Sequence, residues 1–323
     1  MDLAPIRTGI RPVAVHADTW SVAVFARNEA ARIGPCLRAL SRATGAERLH
    51  VTVLLNGTQD GSDATAAAAM REAGLAGCLY DIPFGDKSHA INLYLHRLRP
   101  TAAMHVLMDG YAEIWPEALA LLARRLATTP EAQAAAAVPS TGRSSAALRR
   151  HMLAAPGLHG SLFALRDSFV ERLTAAGYRL PRGLYRGDGL LGSMVLHDLD
   201  ALGGGWIGSR IAVEGEASWS IQPGRVWRWR DLSRHGRRML QQGRGRLERT
   251  ALRAVIYRDG FGGLPEDANR MVLDWIAEDP QAHTPRPWRD PFALAALARI
   301  RQAGPGPSAE ELEPRLLLRM PGT

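Results

Sequence analysis

The 323-residue sequence predicts an α/β fold: a mostly parallel sheet flanked by helices, followed by a basic helical C-terminal region. Three observations carry that expectation. Short β-rich apolar runs alternate with helical patterns as far as Gln133, and such alternation builds a parallel sheet with helices on both faces. Each of the first four runs ends in a cluster of polar and acidic residues. Nine arginines and only two acids, Asp231 and Glu248, lie between Arg225 and Arg249.

Along the chain, Ser21–Ala26 reads as the first strand, and Ala30–Leu40 as a helix with Ile33, Leu37 and Leu40 on one face. Val51–Leu55 is a second strand and Asp63–Glu72 an alanine-rich helix. Cys78–Ile82, Ser88–Leu98, His105–Met108 and Pro116–Leu126 continue the alternation, with Pro116 near a helix start. Beyond Gln133 the pattern loosens. Ala135–Pro139, Ser161–Leu165 and Ile211–Ile221 read as strands, Gly189–Asp198 as a helix, and Arg230 to about Tyr257 as a basic helix. The proline-rich tail from His283 is expected to wrap the surface or to be partly mobile.

The composition is that of an ordinary globular protein, 46% hydrophobic and 22% charged. Two cysteines, Cys36 and Cys78, sit in apolar contexts and suggest no disulfide framework. No signal-peptide core and no membrane-spanning run is visible, so a cytoplasmic location is expected. The net charge of +8 favours an anionic partner: nucleotide, nucleic acid or membrane surface.

In open parallel sheets, ligands bind beyond the carboxyl ends of the strands. There the sequence places Arg27-Asn28-Glu29, Asn56-Gly57-Thr58-Gln59-Asp60, Gly85-Asp86-Lys87-Ser88 and Asp109-Gly110-Tyr111-Ala112-Glu113. Helix caps at Asp63 and Ser88 account for part of this, but not for Asn28-Glu29, Lys87 and Asp109 together. Carboxylates and amides suit a base and a ribose, and a lysine suits a diphosphate. An aspartate beside a diphosphate suits magnesium or manganese. Together they describe a nucleotide-diphosphate site. No Walker A sequence occurs, and Gly203–Gly208, which matches G-x-G-x-x-G, does not follow the first strand; it reads as a chance loop.

The segments WSVAVFARNEAARIGPCLRAL, VLLNGTQDGSDAT, GDKSHAIN, HVLMDGYAEIWPEAL, GLHGSLFALR and YRGDGLLGSMV resemble, in that order, segments of the family 2 glycosyltransferases of the GT-A fold. The resemblance covers about residues 20–200. It implies a nucleotide site of Ala26, Asn28, Glu29, Asn56, Asp60, Lys87 and Asp109, with Asn28, Glu29 and Asn56 on base and ribose and Lys87 near the diphosphate. It makes Asp188 the general base of an inverting transfer from a nucleoside-diphosphate sugar, a UDP-sugar first, to a glycan, lipid or small-molecule hydroxyl. It assigns residues 1–225 to the nucleotide-sugar-binding and catalytic domain, and 226–323 to the basic region and tail. Three positions depart from the family pattern: Phe25 replaces a proline, Gly187 a glutamate, and Tyr111 the second acid of the Asp-x-Asp motif. Strand alternation would bring Asp109, Tyr111 and Glu113 to one side, so Asp109 and Glu113 are the expected ligands of a divalent metal, Mg or Mn, the alternative that Tyr111 raises being a weakly held metal or none.

The arginines raise two further expectations. Arg230, Arg234, Arg237 and Arg238 share a helical face that could meet a diphosphate, an anionic acceptor or, peripherally, a membrane. The same segment supports the rival reading of a nucleic-acid-binding protein, against which no RNP motif or zinc spacing is present. A nucleotidyltransferase would need a glycine-rich loop after the first strand, which is absent. A degenerate, nucleotide-binding relative without turnover is the rival that Tyr111 favours.

Overall fold

A computed structural model describes residues 18–142, 144–222 and 230–321, the stretch 230–238 by its helical backbone alone. In chain order its elements are β1 (Trp20–Ala26), α1 (Ile33–Ser41), β2 (Leu49–Asn56), α2 (Ser62–Glu72), β3 (Gly77–Ile82), α3 (Lys87–Leu93), β4 (Met104–Asp109), β5 (Ala112–Ile114), α4 (Ala118–Thr128), β6 (Ala134–Pro139), α5 (Ser145–Ala154), β7 (Leu162–Arg166), α6 (Asp167–Ala175), α7 (Gly187–Leu196), β8 (Ile211–Ile221), α8 (Arg230–Asp259), α9 (Ala268–Glu278), α10 (Pro280–His283), α11 (Pro291–Arg301), α12 (Ala309–Leu312) and β9 (Arg315–Met320).

The strands form one nine-stranded sheet in the order β5-β8-β6-β7-β4-β1-β2-β3-β9. Strands β3, β2, β1, β4, β6 and β8 run one way, while β5, β7 and β9 run against them. The parallel centre is the set of strands that the alternating pattern predicts.

Successive residues of β1 face opposite layers. Val22 and Val24 pack with α1, α2 and α4 on one side. Ala23 and Phe25 pack on the other with α3, α6 and α7 and with Leu247, Trp275 and Leu297 of α8, α9 and α11. The C-terminal helices therefore share an apolar layer with the sheet. Burial on both faces explains why these strands are apolar throughout.

The tail differs from its expectation. Ser308 and Glu311 form a reciprocal capping box at α12. The Arg97 guanidinium holds both oxygens of Glu313 at 3.0 and 2.8 Å. β9 then pairs antiparallel with β3 and becomes the edge strand on that side of the sheet. Among the described residues no helix is long and apolar enough to cross a membrane. The side chains of Arg230, Arg234, Arg237 and Arg238, expected to share a face, lie outside the described residues.

Candidate functional site

The parallel strands β1, β2 and β4 end level with one another, Phe25 pairing with Asp109 and Ala26 with Leu55. Their loops form one edge, and most of the polar groups expected there are engaged with each other. Asn28 adopts a left-handed backbone, φ 56°, and its Oδ1 accepts from Gln59 N at 2.8 Å. Asp60 accepts from Ala30 N at 3.0 Å and from the Ser62 hydroxyl at 2.5 Å. Burial alone would raise the Asp60 carboxyl, but the Ser62 hydroxyl and neighbouring amides outweigh it and hold it below its ordinary value. Buried Asn56 donates through Nδ2 to Ala26 O at 3.1 Å. Asn28, Asn56 and Asp60 thus fasten the first two loops together. Glu29 stays half-buried beside Arg32. Desolvation, aided by Asp109 and Asp60, raises its carboxyl above the usual range against the pull of Arg32.

The third loop locks onto the second by close backbone contact. Gly57 has φ 64°, and a Cβ there would fall 2.5 Å from Gly85 Cα, so both the conformation and the approach require glycine. Asp86 then caps α3 through Ser88 N at 2.9 Å and accepts from Gly183 N at 2.5 Å. This fixes Lys87 at the first position of the helix.

Lys87, Asp109 and Asp188 meet at Gly160. The Lys87 ammonium pairs with Asp109 Oδ1 and reaches Gly160 O at 3.5 Å. Asp188, in the first turn of α7, accepts from Gly160 N at 2.9 Å. It is therefore directed to the Gly160 loop rather than onto the amides of its own helix, which is what a simple capping acid would seek. A Cβ at Gly160 would lie 2.7 Å from Lys87 Nζ, 3.3 Å from Asp188 Oδ2 and 3.5 Å from Asp109 Oδ2, so it would displace the ammonium from its present position, crowd Asp188 and merely touch Asp109. His159 stacks on Trp219, centroids 5.1 Å apart, and burial lowers its pKa despite Asp188 and Asp109 nearby. Neither His159 nor Gly160 shows this placement by any local sign in the sequence, although both stand in GLHGSLFALR.

The backbone resembles those of known nucleotide-sugar transferases. The mannosyltransferase PcManGT from Pyrobaculum calidifontis, solved with GDP-Man and Mn2+, aligns over 92% of this chain and 79% of its own, with TM-score 0.56 and 22% identity. S. aureus TarS 1-349, solved with UDP-GlcNAc, aligns over 89% and 82%, with TM-score 0.51 and 13% identity. The fold is GT-A. No protein-family model matches the chain, and no curated protein matches it in sequence.

The GT-A arrangement raises the question of a divalent ion, for which Asp109 and Glu113 are the expected ligands. The alternation that would align them is broken by a turn at Gly110-Tyr111, and Glu113 lies beyond it on β5. The Tyr111 hydroxyl donates to Asp109 Oδ2 at 2.6 Å, while Lys87 takes Oδ1. A dication at this carboxylate would face an ammonium already in contact with it. Among the described residues, no group of three His, Cys, Asp or Glu side chains could hold a metal. With Lys87 on Oδ1 and Tyr111 on Oδ2, Asp109 offers no free oxygen to a divalent ion, and a metal there would require the ammonium to move away.

Proposed function

We propose that this protein transfers a sugar from a nucleoside-diphosphate sugar, a UDP-sugar first, to the hydroxyl of an acceptor, with inversion at the anomeric carbon. The observation that carries the reading is the convergence of Lys87, Asp109 and Asp188 on Gly160 at the strand-end edge. The donors of the two neighbours, GDP-Man and UDP-GlcNAc, support the substrate class.

In this reading Glu29, Asn28 and Asn56 border the base and ribose, with Ala26 and Asp60 shaping the pocket. The Lys87 ammonium leaves Asp109 for the diphosphate and offsets the charge that grows there as the glycosidic C–O bond breaks. The acceptor oxygen attacks the anomeric carbon from the opposite side. Its proton passes to Asp188, and the bonding pair leaves with the nucleoside diphosphate. A single base on the acceptor side gives inversion. Residues 1–225 would supply this machinery and 226–323 would flank the acceptor side. No step is assigned to a metal.

A melting-temperature screen with UDP, GDP and TDP, each with and without EDTA, tests donor binding, since a ligand of the folded state raises the midpoint. No shift with any of them at millimolar concentration would overturn the reading. Binding of nucleotide without sugar transfer or hydrolysis would instead support the degenerate relative that Tyr111 suggests.

A further inference from the structure

On another face of α7, away from the Asp188 side chain, a cavity of about 470 Å³ opens between α7 and α8. That is the size of a small-molecule site, roughly 300–1,000 Å³. Arg186, just before α7, and Gly189, Leu190 and Ser193 of α7 line it on one side, and a stripe from Gly245 to Tyr257 lines it from α8. The floor is apolar, with Leu184, Leu190, Leu252 and Ile256. Trp206 and Tyr257 stand at the rim, 60% and 52% exposed, and both pack edge-on against His197.

Three arginines, Arg186, Arg249 and Arg253, line this apolar space. None of them pairs with an acid among the described residues. The one carboxylate in the lining, Glu248, is already committed. It accepts from Arg244 Nε at 2.6 Å and from Tyr185 N at 2.8 Å, with 3% of its side chain exposed. Glu248 therefore does not neutralise the cavity. An apolar floor, an aromatic rim and guanidinium forks with no acidic partner among the described residues suit a ligand with an apolar body and a compact anionic head. The fork geometry matches the paired oxygens of a carboxylate or a phosphate, and three guanidiniums around one space favour the more highly charged phosphate.

We propose that the α7–α8 cavity binds the phosphate monoester of an apolar alcohol. The inference goes beyond the transfer reading and does not depend on it, because binding here needs no nucleotide. It also gives a role to part of the arginine excess that the nucleotide cleft does not use.

Calorimetry on the full chain with octyl phosphate, octyl glucoside below its micelle concentration, and inorganic phosphate tests the proposal. Octyl phosphate is expected to bind saturably, and each of the other two at least about tenfold more weakly, because each carries only half of the recognised chemistry. The double variant Arg249→Gln/Arg253→Gln is expected to lose about tenfold or more in octyl phosphate affinity. Its melting temperature and its UDP affinity should not change, since both arginines are exposed. Trp206→Ala should weaken octyl phosphate and leave inorganic phosphate unaffected. Equal binding of octyl phosphate and octyl glucoside would overturn the proposal, as would equal binding of octyl phosphate and inorganic phosphate. Undiminished octyl phosphate affinity in the folded double variant would do the same.

Discussion

Tyr111 donates its hydroxyl hydrogen to Asp109 Oδ2 across 2.6 Å, on the side of the carboxylate opposite Lys87. Burial, followed by the charge of Asp109, pushes the phenol well above its ordinary value of 10.0, so it stays a donor at neutral pH. The aspartate is thereby satisfied by one cation and one neutral donor. UDP affinity of the native chain is expected to be the same with EDTA as with manganese. Tyr111→Asp removes the donor and adds a carboxylate, and should make UDP binding manganese-dependent by calorimetry. Chelator-sensitive binding by the native chain would show that Asp109 works with a metal after all.

Gly160→Ala tests the convergence itself. The added methyl would lie 2.7 Å from Lys87 Nζ, the far end of a flexible side chain, so the ammonium moves rather than the backbone. Stability should change little, by about 0.5 kcal/mol or less. UDP affinity should fall about tenfold, or about 1.4 kcal/mol, as the cation is displaced. Unaltered affinity and turnover in this variant would mean that the three charged groups meet at Gly160 without functional consequence.

Glu248 gives a pH prediction. Burial raises its carboxyl above the ordinary 4.5, even against Arg244 and the Tyr185 amide. The folded state then holds the Glu248 proton more tightly than the unfolded state does. Between pH 4.5 and the raised value the folded chain carries more of that proton, so stability falls as pH rises through this window. Below the window the contribution is fully present, and above it the loss is complete and constant. Glu248→Gln cannot titrate. The stability of the native chain relative to this variant, from urea unfolding at stepped pH, should therefore decline from about pH 4.5 upward and then level off. A flat difference across that range would show that the glutamate titrates normally.

The central strands and the polar edge at which they end together were legible in the sequence because their signals are local. VTVLL bounded by Asn-Gly, or HVLM bounded by Asp-Gly, marks both a strand and its polar end. What each polar group satisfies was not legible. Asn56 is polar and ends a strand, as expected, yet its amide goes to Ala26 O, at the end of a different strand. The role of Gly160 is set by three side chains from distant segments, and a glycine gives no local sign of that. β9 follows the same rule: RLLLRM near the end of the chain finds its partner in β3, far back in sequence. The alternation that was to align Glu113 with Asp109 assumed a continuous strand, and a glycine-tyrosine turn interrupts it.

Asp188 carries the prediction that bears most directly on chemistry. Its carboxylate stands at a fixed point, one oxygen held by Gly160 N at 2.9 Å and the backbone set in the first turn of α7. The other oxygen has no hydrogen-bond partner among the described residues and is free to take a proton. Asn at this position has nearly the same shape and can still accept from the Gly160 amide through its carbonyl oxygen, but it cannot act as a base. Asp188→Asn is therefore expected to lower the transfer rate about 100-fold or more, with UDP affinity and melting temperature close to native. A purely structural acid would give the reverse, with stability lost and turnover kept. His159 is the nearby group that could share the role. Its Nδ1 accepts from Ser161 N at 3.3 Å, which leaves only Nε2 for a proton. His159→Gln should accordingly cost less in rate than Asp188→Asn, and a larger loss would transfer the base to the imidazole. The anomeric configuration of the product, read by NMR, gives an independent check. Inversion agrees with one base acting on the acceptor, whereas retention would require a covalent or internal-return route that a lone Asp188 does not provide.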